Sequence, residues 1–193
     1  TQSGNAIAQV LYGDYNPSGK LPMSFPRSVG QMPLYYNYKS TGRPGADGGD
    51  AGSVFWSHYG DEKNSPLYPF GFGLSYTEFE YSEIKMSSNS MTIGSQIEAS
   101  VVLKNTGKVK GKEVVQMYIH DQFASVTRPV RELKGFELVE LGPGESKKVS
   151  FTIDPELLEF YSANRKWESE PGAFTVYIGT NSATKRKANF SLN

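Results

Sequence analysis

A two-sheet antiparallel β-sandwich of the immunoglobulin or fibronectin type III kind is the fold that the sequence predicts for residues 76–193. Three observations predict it. Beyond Tyr76, short segments rich in Val, Ile, Phe and Tyr alternate apolar with polar residues. Turn-forming clusters separate these segments at intervals of about 8–12 residues. The chain carries 20 Gly and 11 Pro but no Cys, so it is rich in turns and has no bridging disulfide of the antibody type.

The elements follow in order. Ile7, Val10 and Leu11 fall at helical spacing and predict a helix over residues 5–12. The turn formers of residues 13–19 stop it. Residues 20–26 read as a short strand, bracketed by Pro22 and Pro26, which cannot donate to a sheet ladder. Residues 27–67 show neither period. About forty residues without periodicity are uncommon inside a compact domain, so this stretch needs another surface to lie on. Strands are then expected over 78–86, 97–103, 114–119, 130–141, 148–153, 174–178 and 188–192. A helical turn is expected over 154–160. In the segment 114–119, Val115, Met117 and Ile119 form one apolar face, while Val114 and Tyr118 give the opposite face apolar surface too.

Composition excludes several function classes. Lys plus Arg number 20, as do Asp plus Glu, so no basic surplus is available to neutralise nucleic-acid phosphates. No apolar run approaches the ~18 residues of a membrane-spanning helix. Thiolate metal sites and Cys nucleophiles are absent with the cysteines. Thr1 reads as a point already inside a fold, so a longer natural chain is expected.

Several motifs recur in a fixed order: residues 6–22 (AIAQVLYGDYNPSGKLP), Ser24-Phe25-Pro26, Thr41-Gly42-Arg43-Pro44 and residues 66–77 (PLYPFGFGLSYT). Asn105-Thr106-Gly107, residues 114–118 (VVQMY), Arg128-Pro129, residues 133–136 (LKGF) and Glu170-Pro171-Gly172 continue the series. In this order the chain resembles the C-terminal portion of glycoside hydrolase family 3, in particular its bacterial periplasmic β-glucosidases. The resemblance implies that residues 1–75 are the tail end of an α/β sandwich domain plus a linker, and that residues 76–193 are a fibronectin type III-like module. It implies a parent enzyme that releases terminal non-reducing β-D-glucosyl residues with retention, without a cofactor, in the periplasm or outside the cell. The implied partners are the upstream barrel and α/β domains and a β-glucoside substrate, with homodimerisation as a further expectation. Neither nucleic acid nor membrane is among them.

Retaining glycosidases use two carboxyl groups about 5–5.5 Å apart. The family's nucleophilic Asp belongs to a Ser-Asp-Trp-like motif of the barrel, and no such tripeptide occurs here. No catalytic residue is therefore assigned, and the chain alone is expected to be inactive. Asp61 and Glu62 are sequence neighbours, which on an extended strand point to opposite faces. Trp56, His58, Tyr59 and Asp61 are the candidates for a substrate rim, since aromatic faces stack on sugar C–H faces and polar groups orient hydroxyls. The competing assignment is an aromatic plug at a domain seam. His58 stands where relatives commonly carry Arg. Arg43, between Gly42 and Pro44, is the candidate for an interdomain ion pair. No metal site is expected: Asp47 and Asp50 lie in a Gly-rich loop without a calcium-loop pattern, and His120 at a strand end is read as structural. Trp167 is expected to pack over the sandwich edge. The alternative function is a glycan-binding or protein-interaction module, for which Tyr161 and Trp167 are the exposed-aromatic candidates, too few by themselves for a carbohydrate-binding face.

Overall fold

The computed structural model describes residues 2–40, 57 and 59–193. Helix α1 spans Ser3–Leu11 and a 3₁₀ turn spans Val29–Gln31. The strands are β1 (Phe79–Tyr81), β2 (Lys85–Met86), β3 (Ser90–Met91), β4 (Ile97–Asn105), β5 (Gly111–Asp121), β6 (Glu132–Leu141), β7 (Ser146–Ile153), β8 (Phe160–Tyr161), β9 (Trp167–Glu168), β10 (Gly172–Gly179) and β11 (Lys187–Leu192).

Two sheets face each other. In the first, β4 pairs with β7 on one side and with β1 and β2 on the other. In the second the order is β3-β11-β10-β5-β6, antiparallel except where β3 runs parallel to β11. Strand alternation puts Ile97, Ala99, Val101 and Leu103 of β4 inward, opposite Val115, Met117 and Ile119 of β5 and Phe174, Val176 and Ile178 of β10. Each large side chain so buried contributes roughly 1.5–3 kcal/mol, and these residues form one continuous cluster. The hairpin β8–β9 stands apart as a two-stranded ribbon.

The segment expected as one strand over 78–86 is two strands with a break, and serine hydroxyls explain it. Ser82 Oγ accepts the backbone N–H of Val102 at 2.9 Å, and Ser87 Oγ accepts that of Glu98 at 2.8 Å. Each hydroxyl takes a ladder donor that the backbone would otherwise use. The 154–160 segment makes turns rather than a helix: Asp154 Oδ1 accepts Leu157 N–H at 2.8 Å, and Leu158 N–H reaches Pro155 O at 3.1 Å.

Residues 20–40 and 59–75 form a strap over the sandwich. Leu21 and Gly71 exchange bonds with Phe72 and Leu21, and Phe25 bridges Tyr68, each at 2.8 Å. The prolines at 22, 26, 66 and 69 keep this pairing from becoming a regular ladder. The strap covers the outer face of β5, which is why Val115 to Ile119 are buried without interruption. A register shift between Met117 and Tyr118 accompanies this two-sided burial. Tyr36 stacks on Phe70 with centroids 4.2 Å apart and meets Tyr118 edge-on at 6.0 Å. Gln116, also on the outer face, donates to Gly71 O at 3.1 Å and Thr180 O at 2.7 Å, and accepts from the Tyr118 hydroxyl at 2.5 Å. Gly71 adopts φ +80°, and a Cβ there would lie 2.1 Å from Gln116 Oε1. The turn therefore requires glycine twice over, for its backbone and for its neighbour.

Candidate functional site

A groove of about 990 Å³ opens between the strap and the sandwich. Its strap wall is organised by Gln31, which is 1% exposed. Gln31 Oε1 accepts Arg27 N–H at 2.5 Å, and its Nε2 donates to Lys63 O at 2.7 Å. Arg27 adds a bond to Ser65 O at 3.0 Å and faces Glu62 at 3.8 Å. Asn64 closes the turn before it, donating to Ser57 O at 2.7 Å and accepting Tyr59 N–H at 3.2 Å. Buried amides thus position a loop that has no periodic structure of its own.

The groove is lined by Tyr36, Tyr38, Tyr59 and Tyr177, with Arg131, Lys39 and Lys185 as cations. Arg131 lies 4.2 Å over the Tyr177 ring and donates to Ser182 O and Thr184 O. Tyr36 Oη accepts Leu133 N–H at 3.2 Å. Aromatic faces beside guanidinium and ammonium donors suit stacking and hydroxyl recognition. Among the described residues no Asp or Glu lines it, and the rings, cations and amides that do are groups suited to binding. Among the described residues no cluster of three metal-ligating side chains occurs.

Of the rim candidates, Tyr59 lines the groove and Asp61 sits exposed on the adjoining turn. Trp56, His58 and Arg43 lie outside the described residues. Glu62 faces Arg27, which gives it the partner that the sequence neighbour Asp61 does not. Trp167 departs from expectation: it is 68% exposed, on the β8–β9 ribbon rather than over the sandwich edge. The ribbon carries its aromatics away from the core because Phe160, the inward neighbour of Tyr161, already fills the space beneath Arg128.

Two polar clusters tie the strap and the loop after β5 to the sandwich. Lys20 Nζ binds Glu113 Oε2 at 2.9 Å and Thr180 Oγ1 at 3.0 Å, while the Tyr81 hydroxyl donates to Glu113 Oε1 at 2.9 Å. Burial, then the Glu113 charge and hydrogen bond, push the Tyr81 phenol far above its usual range, so it stays a donor. At the end of β5, Asp121 is buried 3.6 Å from Arg128 Nε, and Arg128 also pairs with Glu132 at 2.6 Å. Burial raises the Asp121 carboxyl to about 6 against the opposing pull of Arg128. His120, beside it, is lowered by burial and by Arg131.

Sequence reasoning missed Lys20, Gln31, Glu113, Gln116 and Arg131. The available signal was the apolar second face of 114–118, which required a covering layer.

A model of a fibronectin type III-like domain matches residues 113–182, and one of the glycosyl hydrolase family 3 C-terminal domain matches residues 1–76. A periplasmic β-glucosidase of Salmonella typhimurium is 53% identical over 192 residues, covering 100% of this chain and 25% of the relative. A β-xylosidase of Formosa agariphila is 45% identical, covering 94% of this chain and 24% of the relative. A crystal structure of a β-glucosidase from Listeria innocua in complex with glucose superposes with a TM-score of 0.91 at 41% identity, over 98% of this chain and 26% of that one. The chain thus spans about a quarter of the length of the proteins it matches.

Strap, groove and two-sheet core define a fibronectin type III-like β-sandwich with an irregular covering layer. The chain belongs to glycoside hydrolase family 3, as the C-terminal portion of a member with a fibronectin type III-like domain.

Proposed function

We propose that this chain is the non-catalytic C-terminal scaffold of a retaining exo-β-glucosidase acting on terminal non-reducing β-D-glucosyl residues. The carrying observation is the groove: among the described residues, rings and cations line it and no carboxylate does. The match to proteins named β-glucosidase and β-xylosidase at similar identity supports placing sugar selection upstream of this portion. Residues 1–75 would be the tail of the preceding α/β domain plus the linker, and 76–193 the terminal module.

Helix α1 supports this division. It has no buried residue, and Ile7, Leu11 and Tyr12 stand exposed. Such a face fits burial against the upstream domain, with a second copy of the chain as the competing occupant, distinguished by sedimentation. Segment 56–61 would form part of the substrate rim, with Arg43 paired across the domain seam. The Salmonella relative's name supports a periplasmic or secreted location.

Hydrolysis of p-nitrophenyl β-D-glucopyranoside tests the reading. The 193-residue chain is expected to show no turnover at its verified mass. The same chain joined to its upstream domains is expected to turn over the glucoside faster than the xyloside. Turnover by the chain alone would sink the scaffold assignment.

A further inference from the structure

The β8–β9 ribbon presents an aromatic pair that the core does not use. Tyr161 and Trp167 are directly opposite in register, and Phe160 pairs with Glu168. Residues directly opposite on one face of an antiparallel pair are close enough for their side chains to touch. The two rings meet edge-on with centroids 6.1 Å apart at 65°, and are 55% and 68% exposed. Phe160 anchors the ribbon from below, 2% exposed with Arg128 stacked 4.3 Å over its ring.

Polar groups occupy the ribbon's other face and its tip. Asn164 Nδ2 donates to Glu168 Oε1 at 2.9 Å, and Ser162 Oγ donates to the same oxygen. These bonds hold the Glu168 carboxyl below its usual range, so it remains an acceptor at neutral pH. Arg165 and Lys166 stand exposed at the tip. A third exposed ring, Phe123, belongs to the neighbouring loop, which Ala163 N–H reaches at Ser125 Oγ, 3.3 Å away.

We propose that this ribbon is a binding site for a β-linked glucan chain, with pyranose rings stacked on Trp167 and Tyr161. An all-equatorial β-glucopyranose exposes axial C–H bonds on both faces, which stack on aromatic rings. Its hydroxyls both donate and accept, matching the amide of Asn164 and the cations of Arg165 and Lys166 at the exposed tip of the ribbon. A purely hydrophobic partner would leave these charged groups desolvated and unpaired.

The ribbon is also far from the α1 face. Asn16 reaches Lys110 O, just before β5 begins, whereas Arg128 and Phe160 sit beside Asp121 at its end. An eleven-residue strand at about 3.3 Å per residue separates the two ends by roughly 30 Å. The inference rests on the ribbon alone and stands whether or not the parent is a glucosidase.

Affinity electrophoresis of the intact chain tests it, in gels containing laminarin, hydroxyethyl cellulose, arabinoxylan or starch. Retardation is expected in the two β-glucan gels and not in starch. Trp167→Ala and Tyr161→Ala are each expected to weaken it at least roughly tenfold, equivalent to about 1.4 kcal/mol. Both rings are solvent-facing, so an unchanged thermal midpoint verifies that each variant is folded, and Phe123→Ala reports the outer edge of the site. Equal mobility of the native chain in every gel overturns the proposal. So does retardation that survives both substitutions, or equal retardation in starch.

Discussion

Replacing Asp121 by Asn asks whether a buried carboxylate next to an arginine stabilises this fold or opposes it. Asp121 is 7% exposed at the end of β5. Arg128 faces it from the following loop, Glu132 from β6 and Glu170 from the segment before β10. Burial outweighs the Arg128 attraction and lifts the carboxyl to about 6 from an ordinary 3.8. Arg128 is the weaker partner because its shorter contact goes to Glu132, at 2.6 Å against 3.6 Å.

Between pH 3.8 and 6 the folded state therefore holds more protons than the unfolded state. Stability falls as pH rises through that window, and the penalty is complete above pH 6. The difference corresponds to ~3 kcal/mol across the window. Asn cannot ionise, so the Asp121→Asn variant should lack this slope. Urea unfolding of both proteins from pH 4 to pH 7.5 gives the difference directly and cancels every other titrating group. The variant is expected to gain ~2.5 kcal/mol on the native chain between the two ends. A flat difference would refute the burial argument, and a variant that loses ground as pH rises would show Asp121–Arg128 to be a net stabilising pair.

Two further substitutions probe the seam. Glu113→Gln removes the charge opposite the Lys20 ammonium, 12% exposed, and leaves it only neutral acceptors such as Thr180 Oγ1, and should cost about 3–5 kcal/mol in urea titration. Adding Lys20→Met should recover much of that loss, whereas a single substitution within 1 kcal/mol of the native chain would mean the pair is dispensable. Gly71→Ala should lose about 1–2 kcal/mol for the left-handed backbone and more for displacing Gln116. Gly144→Ala, at φ +77° with nothing within 4 Å of the added Cβ, isolates the backbone part alone. Equal losses at the two glycines would show that Gln116 is not fixed.

What was legible in the sequence follows from which interactions are local. The sandwich strands were readable because alternation over one face is written into neighbours along the chain, as in Ile97 to Leu103. The break at Ser82 was not, because a hydroxyl competing for Val102 N–H has no signature in apolar spacing. The motif-rich segment 66–77 was recognisable by resemblance while its reason was hidden. Gly71 is required by Gln116, forty-five residues further on. Of the two described rim candidates, Tyr59 is placed on the groove, beside tyrosines and Arg131 that come from three other parts of the chain. No one-dimensional pattern unites Tyr36, Tyr59, Arg131 and Tyr177.

The chemistry of the seam explains how an aperiodic strap is held in one place. Apolar contact alone is non-directional and would let it slide. Gln31, Gln116, Asn16 and Asn64 each bind backbone groups of the strap or its footing, so a shift of one residue would leave the buried amides of Gln31 and Gln116 unpaired. The stacked Tyr36–Phe70 pair supplies area, and the amides supply register. A loop fixed in this way can carry Tyr59 at a set height above the sandwich without regular secondary structure. The proposed scaffold role would need that property where the chain meets a neighbouring domain, and the seam's polarity would then matter to it as much as the rings.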